Sequence, residues 1–408
     1  MQNRYLTEPI LRIALSAHKM AFVSGPRQCG KTTLGRLLLR RYRSGRYFNW
    51  DDIEFRRAWA KNPKSIVPDG KKGAPPLIVL DEIHKAKGWK RSLKGVFDTL
   101  ENPADILVTG SARLNVYKKG GDSLLGRFYH FRLHPLSLAE ILKRSPPLPD
   151  ELIKNLAEGI HSPSRTAVSN LDLLLRLGGF PQPFLERDEK KANLWRQNRV
   201  EAVIREDLRD LSRVPELSQI EMLASLLPER VGSPLSLNAL REDLEVSYDT
   251  VKRWLTMLED LYYVFRLRPY YRSIKRSLKK EAKLYLWDYS EIPDGGSRFE
   301  NLVACHLLKA CHYWTDTGEG RFELHFLRNK EKQEIDFLIT RDGLPWLPIE
   351  VKSQKDDPAP AWKKFLPMLR CPLGIQLLLR PKSGIRKHEL AGGDVLVAPA
   401  SAFLAMLV

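Results

Sequence analysis

The stretch Gly25-Pro26-Arg27-Gln28-Cys29-Gly30-Lys31-Thr32 stands between a short apolar segment and a helical one. It matches the pattern GxxxxGK[ST], whose glycines let backbone N–H groups turn inward around a phosphate. Residues 21–23 are apolar and predict a strand, and residues 31–41 carry leucines at helical spacing. Pattern and context together predict a phosphate-binding loop at the N-terminus of a helix.

The chemistry of such a loop assigns roles to its side chains. Lys31 is expected to bridge the β- and γ-phosphates of a nucleoside triphosphate, and Thr32 is expected to be a ligand of Mg²⁺. Thr33 lies next to them on the first helical turn and completes the predicted contact segment. We therefore predict ATP and Mg²⁺ as cofactors.

An acidic pair follows a second predicted strand. Residues 77–80 are apolar, and Asp81 and Glu82 come directly after them. Because ligands of open α/β sheets bind at the carboxyl ends of the strands, we expect this pair near the phosphates. Asp81 is predicted to hold the Mg²⁺ shell, and Glu82 to polarise the attacking water.

Two further residues are candidates for contact with the γ-phosphate. Ser111 follows another predicted strand, at residues 106–109, and either Ser111 or Thr109 is expected to hydrogen-bond the phosphate. Arg127 comes soon after, and we predict that it acts as an arginine finger across a subunit interface. The alternatives are a loop hydroxyl and a surface cation.

Strands that alternate with helices predict an α/β fold, a three-layer P-loop NTPase domain with a mostly parallel sheet, over residues 1–145. Residues 146–230 are expected to be a helical connector or lid. Residues 231–283 show a helix-turn-helix pattern followed by a strand, which predicts a winged helix with a basic wing. Residues 284–408 predict an α+β domain with the order α-β-β-β-α-β.

Net charge is the main compositional signal. The chain has 67 Lys and Arg against 49 Asp and Glu, a net charge of +18. Such a field attracts polyanions, so we expect DNA as a partner, although a merely solubilising surface is the alternative. We also expect a cytoplasmic protein without a membrane span, because no stretch approaches about 20 apolar residues and no secretory h-region is found.

Basic residues concentrate behind the predicted recognition helix, which itself carries Lys252 and Arg253. We expect this segment to touch DNA phosphates, the alternative being a solvated loop beside a protein-packing module. The basic residues of the segment are Arg266, Arg268, Arg272, Lys275, Arg276, Lys279, Lys280 and Lys283.

Carboxylates and a lysine are expected to converge in the last predicted domain. If Asp342 and Gly343 form a hairpin turn, Asp336 falls beside Glu350, and Glu350 shares a face with Lys352. The pattern resembles the D…(D/E)xK signature of restriction-endonuclease-like nucleases, in which the carboxylates bind Mg²⁺ and the lysine activates water. Glu300 matches the additional acid of such nucleases. A charged hairpin, or a nuclease fold without cleavage, is the alternative.

A resemblance to a known family covers essentially the whole chain. With the phosphate-binding loop, the sequence resembles prokaryotic AAA-type ATPases that carry a C-terminal domain of unknown function. The resemblance implies ATP binding and hydrolysis, and it leaves a homo-oligomer open. It is carried by Leu80-Asp81-Glu82, Thr109-Gly110-Ser111, Gly126-Arg127, His134 to Glu140, Gly178 to Pro181, Tyr285 to Asp288 and Phe299 to Asn301.

These observations predict an ATPase that couples nucleotide state to DNA binding, with DNA cleavage left open. The first alternative is a switch that binds DNA or a protein without cutting. The second is a signalling NTPase whose basic surface meets a protein.

Overall fold

The computed structural model describes residues 4–67, 75–100, 103–111, 124–207, 216–271, 281–354, 356–381 and 384–408. The chain divides after Pro135 into two compact units. Within the described ranges, no helix combines the length and the apolar character needed to cross a membrane.

The first unit alternates strands with helices, as predicted. Its strands and longer helices are β1 (Met20–Ser24), α1 (Lys31–Leu39), β2 (Gly45–Asn49), α2 (Ile53–Lys61), β3 (Leu77–Asp81), α3 (Trp89–Asp98), β4 (Asp105–Gly110) and β5 (Phe128–Arg132). Short helical turns are Thr7–Pro9, Ile10–Ala14, Leu15–Ala17, Pro63–Ile66 and Ile83–Lys85. The strands are parallel in the order β2-β3-β4-β1-β5. Because the strands are parallel, their carboxyl ends lie on the same side of the sheet. The loop after β1 and the acidic pair at the end of β3 therefore lie on that side.

Apolar side chains explain why this sheet is buried. Phe22 of β1, Leu80 of β3 and Val108 of β4 belong to one core, together with Trp59 of α2 and Trp89 of α3. Burying each large apolar side chain contributes about 1.5–3 kcal/mol, so this packing holds the strand ends in place.

The second unit begins with helices, as predicted. They are α4 (Leu138–Ile141), α5 (Pro149–Glu158), α6 (Arg165–Leu177), α7 (Pro181–Glu186), α8 (Glu189–Glu201), α9 (Leu217–Leu226), α10 (Leu237–Asp243) and α11 (Tyr248–Asp260), with α8 continuing as the π-helical segment Ala202–Asp207. The predicted helix-turn-helix corresponds to α10 and α11. Both helices begin where a serine caps them: Ser236 accepts from the backbone of Ala239, and Ser247 from that of Thr250.

The remaining elements form a mixed sheet with helices. They are β6 (Val264–Pro269), β7 (Lys283–Leu286), α12 (Gly295–Asp316), β8 (Phe322–Arg328), β9 (Glu334–Arg341), β10 (Leu344–Lys352), α13 (Ala361–Leu369), β11 (Leu373–Leu378), β12 (Arg386–Leu390), β13 (Gly393–Pro399) and α14 (Ala400–Leu404). The strand order is β12-β13-β11-β10-β9-β8-β6-β7. The strands on either side of the predicted wing therefore extend the sheet of the predicted nuclease-like domain, since β6 pairs with β8.

The predicted hairpin joins β9 and β10. Asp342 and Gly343 have φ angles of +54° and +81°, the left-handed values that a type I′ turn requires. The turn sets the register that pairs Ile349 with Phe337. Both side chains are fully buried, so Asp336 and Glu350, their neighbours along each strand, lie side by side.

Candidate functional sites

The loop after β1 has the close backbone approach that its glycines predict. A Cβ atom at Gly25 would stand 2.2 Å from the carbonyl oxygen of Leu133, so only glycine fits there. Gly30 has a φ angle of +100° and caps α1. A side chain at Gly30 would strain this left-handed backbone, and a side chain at Gly25 would push β5 away from the loop.

Lys31 lies against the backbone of its own loop. Its ammonium donates to the carbonyl oxygens of Gly25, at 3.0 Å, and Pro26, at 2.8 Å. The side chain is only 7% exposed. A buried cation at the start of α1 adds to the positive end of the helix dipole, which favours a bound phosphate.

Asp81 is the centre of a hydroxyl network at the end of β3. Its Oδ2 accepts hydrogen bonds from Thr32 Oγ1, at 2.7 Å, and from Tyr47 OH, at 2.6 Å. Its Oδ1 accepts from Thr109 Oγ1, at 2.5 Å. Burial, followed by the hydrogen bond to Asp81, raises the pKa of Tyr47, so this phenol remains a donor. The network joins the phosphate-binding helix to the acidic strand end.

Glu82 adopts a left-handed backbone conformation, with φ of +58°, directly after β3. Its backbone N–H donates to the carbonyl oxygen of Thr109 at 2.9 Å. Its carboxylate lies 3.4 Å from Nε2 of His84, which is buried. A non-glycine residue at positive φ is uncommon, and such residues concentrate at functional sites.

Arg4 is a supporting residue that sequence reasoning missed. Its guanidinium donates to the carbonyl oxygens of Cys29 and His134, each at 2.6 Å, and the side chain is 6% exposed. These partners are 25 and 130 positions away in the sequence, so no local sequence pattern predicts the contacts. Burial raises the pKa of the Cys29 thiol, which identifies this cysteine as a packed part of the loop.

Ser111 and Arg127 lie at opposite ends of the strands of the first sheet. Ser111 comes directly after β4, at the edge where the phosphate-binding loop begins. Arg127 precedes β5, at the opposite edge, and its guanidinium makes a bidentate pair with Asp98, at 2.6 and 2.9 Å. The length of β5, about 16 Å, separates Arg127 from the loop of its own chain. A role across a subunit interface stays a prediction.

The second unit brings together the predicted nuclease-like residues. Asp336 donates its backbone N–H to Glu350 Oε2 at 3.1 Å, and its Oδ2 accepts from the backbone of Val351 at 2.8 Å. The Lys352 ammonium is 2.5 Å from Glu350 Oε1. Asp336 and Glu350 are 8% and 3% exposed. The register of the hairpin thus places Asp336, Glu350 and Lys352 in contact with one another.

Glu300 also reaches this group, through Tyr285 and Lys283, which the sequence did not connect with it. Its Oε1 accepts from Tyr285 OH at 2.7 Å and from the Lys283 ammonium at 3.2 Å. Lys283 also forms ion pairs with Glu334 and, at 3.8 Å, with Asp336 Oδ1. We call Lys283, Glu300, Glu334, Asp336, Glu350 and Lys352 the carboxylate cluster.

Burial dominates the electrostatics of the carboxylate cluster. It raises the pKa of Glu350 to about 8, with the charge of Asp336 as the next cause. Burial and the Asp336 charge likewise raise the pKa of Glu300 to about 7. Burial alone would lower the pKa of Lys283, but Glu300, Asp336 and Glu334 outweigh it and raise that pKa above its ordinary value. Lys283 is therefore a charged lysine at neutral pH.

Within the described parts of the chain, no group of three or more His, Cys, Asp or Glu residues is arranged to hold a metal ion. The carboxylates of the carboxylate cluster lie close together, and their oxygens contact N–H groups of the protein.

The predicted DNA-facing segment needs a correction. Lys283, expected to touch phosphates, is 1% exposed and belongs to the carboxylate cluster. Arg266 is paired with Glu259. Lys252 and Arg253 on α11 are exposed, as is Arg268 on β6. Arg272, Lys275, Arg276, Lys279 and Lys280 lie outside the described residues.

Comparisons with known proteins bear on the class of the first unit. Residues 17–142 match the family model of an AAA domain, and they include the loop, Asp81 and Glu82. The first unit is therefore an AAA-type, ATP-binding domain. Residues 168–290 and 295–388 match two models, each described as a domain of unknown function (DUF8612 and DUF4143).

The relatives that match most of the chain are distant in sequence. An uncharacterized protein of Mycobacterium tuberculosis is 25% identical over 82% of this chain and 71% of its own length. An uncharacterized protein of Haemophilus influenzae is 22% identical over 78% of this chain and 79% of its own. Among solved structures, a Walker-type ATPase of Pyrococcus abyssi is 15% identical, covering 72% of this chain and 95% of its own, with a TM-score of 0.44.

Proposed function

We propose that the first unit hydrolyses ATP with Mg²⁺ and that its nucleotide state controls DNA binding by the second unit. The observation that carries the first half is the hydroxyl network of Asp81 with Thr32 and Thr109. It joins α1 to the carboxyl ends of β3 and β4. In this proposal, a change at the γ-phosphate is transmitted through these hydrogen bonds into the sheet.

The residues at the end of β3 fit Mg²⁺. The Thr32 hydroxyl and the Asp81 carboxylate are hard oxygen donors in direct contact, at 2.7 Å. Mg²⁺ is usually held by one or two such protein oxygens together with substrate phosphates and water. When bound, the ion neutralises charge on the β- and γ-phosphates. Thr32 and Asp81 would hold it, and Lys31 would orient the phosphates.

Glu82 is proposed to orient and deprotonate the attacking water. It follows Asp81 directly, and its left-handed backbone ends the strand there. His84, 3.4 Å from the carboxylate, restrains its direction. Ser111, at the same edge of the sheet, is proposed to hydrogen-bond the γ-phosphate.

DNA is the polyanion that we propose for the second unit. The net charge of +18 favours a polyanionic partner. Lys252 and Arg253 are neighbours on the second helix of the α10–α11 pair, and both side chains are exposed. In a helix-turn-helix, the second helix is the one that meets DNA.

DNA cleavage is the competing activity. The convergence of Asp336, Glu350 and Lys352 supports a nuclease-like fold for residues 284–408. A fold does not by itself fix an activity, however. Lys283 argues against metal-dependent cleavage, because its ammonium lies among the carboxylates that would bind the metal.

The hydrolytic site is tested with two variants of the first unit. Lys31→Ala should lose ATP binding, because the phosphates lose their buried cation. Glu82→Gln should bind ATP with unchanged affinity but release phosphate about 10²–10⁴-fold more slowly, the range of general-base catalysis. Binding is measured with a fluorescent ATP analogue, and turnover by phosphate release in Mg²⁺ and in EDTA.

Glu54→Gln is the matched control, because Glu54 is an exposed glutamate on α2 in the same unit. It should leave both binding and turnover at the level of the unmodified protein. Wild-type turnover in Glu82→Gln, or turnover that persists in EDTA, would contradict the proposed roles.

A further inference from the structure

Lys283 occupies the interior of the carboxylate cluster. It begins β7, where it pairs with Leu267 of β6, and its side chain is 1% exposed. Its ammonium contacts Glu300 from α12 and both Glu334 and Asp336 from β9. Three carboxylates from two elements thus meet one buried cation.

The oxygens of Asp336 and Glu350 are already engaged by the protein. Asp336 Oδ1 faces Lys283, and its Oδ2 accepts from the backbone of Val351. Glu350 Oε1 meets Lys352, and its Oε2 accepts from the backbone of Asp336. Mg²⁺ demands near-octahedral oxygen ligands at about 2.0–2.1 Å. The hydroxyls around Asp81 can turn and offer a lone pair to such an ion, but an ammonium or a backbone N–H cannot, so these donors would have to be displaced.

Glu300 is engaged by the protein through one of its two oxygens. Its Oε1 is shared by Lys283 and Tyr285. Its Oε2 would lie 3.2 Å from a Cβ atom at Gly232, whose φ angle is +79°. The backbone at Gly232 therefore lies beside this oxygen, and the Glu300 side chain is 19% exposed.

Charge makes Lys283 and the carboxylates depend on one another. An uncompensated buried ion costs several kcal/mol, so the acids require a cation and the lysine requires the acids. We propose that the Lys283 ammonium is the resident cation of this cluster, standing where a divalent metal would otherwise be held. The cluster then clamps the end of the basic segment to α12 and β9, and it does not cut DNA.

The proposal is tested by Mn²⁺ binding to the full-length, nucleotide-free, metal-stripped protein. Free Mn²⁺ is followed by electron paramagnetic resonance during titration. The unmodified protein and Asp336→Asn should bind Mn²⁺ equally, because Asp336 serves Lys283. Lys283→Met should gain one Mn²⁺ per chain, and Lys283→Met with Asp336→Asn should lose it again.

Lys309→Met is the matched control, because Lys309 is a buried lysine, 2% exposed, that is paired with a carboxylate, that of Glu140, outside the carboxylate cluster. It should gain no Mn²⁺. Circular dichroism checks the folding of each variant.

Two outcomes overturn the proposal. One is Mn²⁺ binding or DNA cutting by the unmodified protein that disappears in Asp336→Asn, and this comparison needs no change at Lys283. The other is a folded Lys283→Met protein that gains no Mn²⁺. Neither outcome bears on ATP hydrolysis, so the ATPase proposal stands or falls separately.

Discussion

Lys309 shows how single polar residues anchor the second unit. It lies in the middle of α12, and its ammonium donates to Ser137 Oγ at 2.8 Å and Glu140 Oε2 at 2.7 Å. Breaking a buried ion pair by removing one partner costs about 3–5 kcal/mol. Ser137 and Glu140, two residues of the run from His134 to Glu140, thus attach α4 to α12.

His306, one turn before Lys309, should make stability depend on pH. Its Nε2 accepts from the backbone of Leu138 at 3.0 Å, and its Nδ1 lies 2.8 Å from the carbonyl oxygen of Leu302. Only the neutral ring satisfies both contacts. Burial lowers its pKa from 6.5 to about 4, aided by the Lys309 charge and opposed by the hydrogen bond to Leu302. The stabilisation is fully present above pH 6.5 and is lost as the pH falls toward 4, by about 3 kcal/mol in all.

The measurement is denaturant unfolding of the second unit at pH 7.5, 5.5 and 4.5. His306→Gln keeps an acceptor for the Leu138 N–H but does not titrate, so its unfolding free energy should fall less over this range. Other groups titrate in both proteins, and the difference between the two isolates His306. Parallel curves for both proteins would show that this ring does not carry the effect.

At the scale of elements, the β9–β10 hairpin positions the carboxylate cluster. Its turn residues have left-handed backbones, and its register sets Asp336 beside Glu350. A slip of one residue would turn Asp336 toward the apolar core and expose Phe337. The turn and the alternation of apolar side chains therefore specify the same arrangement independently.

Gly343→Ala should destabilise the second unit by about 1 kcal/mol, because an alanine at a φ angle of +81° meets backbone strain, whereas no atom lies within 4 Å of its Cβ. Gly384→Ala is the control in the same unit, with open space and no left-handed backbone. It should be neutral or slightly stabilising. Equal unfolding midpoints for the two variants would argue against a strained turn.

Local signals account for the elements that were predicted correctly. The strand before Gly25, the strand ending at Asp81, the α10–α11 pair and the turn at Asp342 each follow from apolar periodicity, caps or turn residues. The roles of Arg4 and Lys283 depend on contacts between segments far apart in the chain. Lys283 was misjudged because a lysine in a basic run has the same local pattern whether it ends in solvent or among carboxylates.

At the scale of the molecule, an ATP-binding unit and a unit with exposed basic residues share one chain. In the proposed function, the hydroxyl network around Asp81 transmits the nucleotide state within the first unit. The carboxylate cluster gives the second unit a rigid base for the strands that flank the basic segment. Coupling between them requires that DNA affinity differ between nucleotide states.

Reversing charge on α11 should weaken DNA binding. Lys252→Glu with Arg253→Glu removes two exposed cations from the proposed recognition helix. If both contact phosphates, affinity for duplex DNA should fall, and the slope of log affinity against log salt should shrink by about 2. Fluorescence anisotropy over a salt series measures both quantities. Glu82→Gln with ATP bound provides one nucleotide state, and nucleotide-free protein provides the other.

Lys363→Glu with Lys364→Glu is the matched control, because both lysines are exposed neighbours on α13 in the same unit. Each pair of reversals lowers the net charge of +18 by the same amount, so a purely long-range attraction would weaken equally in both proteins. A loss confined to the α11 variant assigns the contact to that helix. Equal losses of affinity in the two variants would show that DNA is attracted only by the net charge of the protein. The same DNA affinity with and without ATP would show that nucleotide does not control DNA binding.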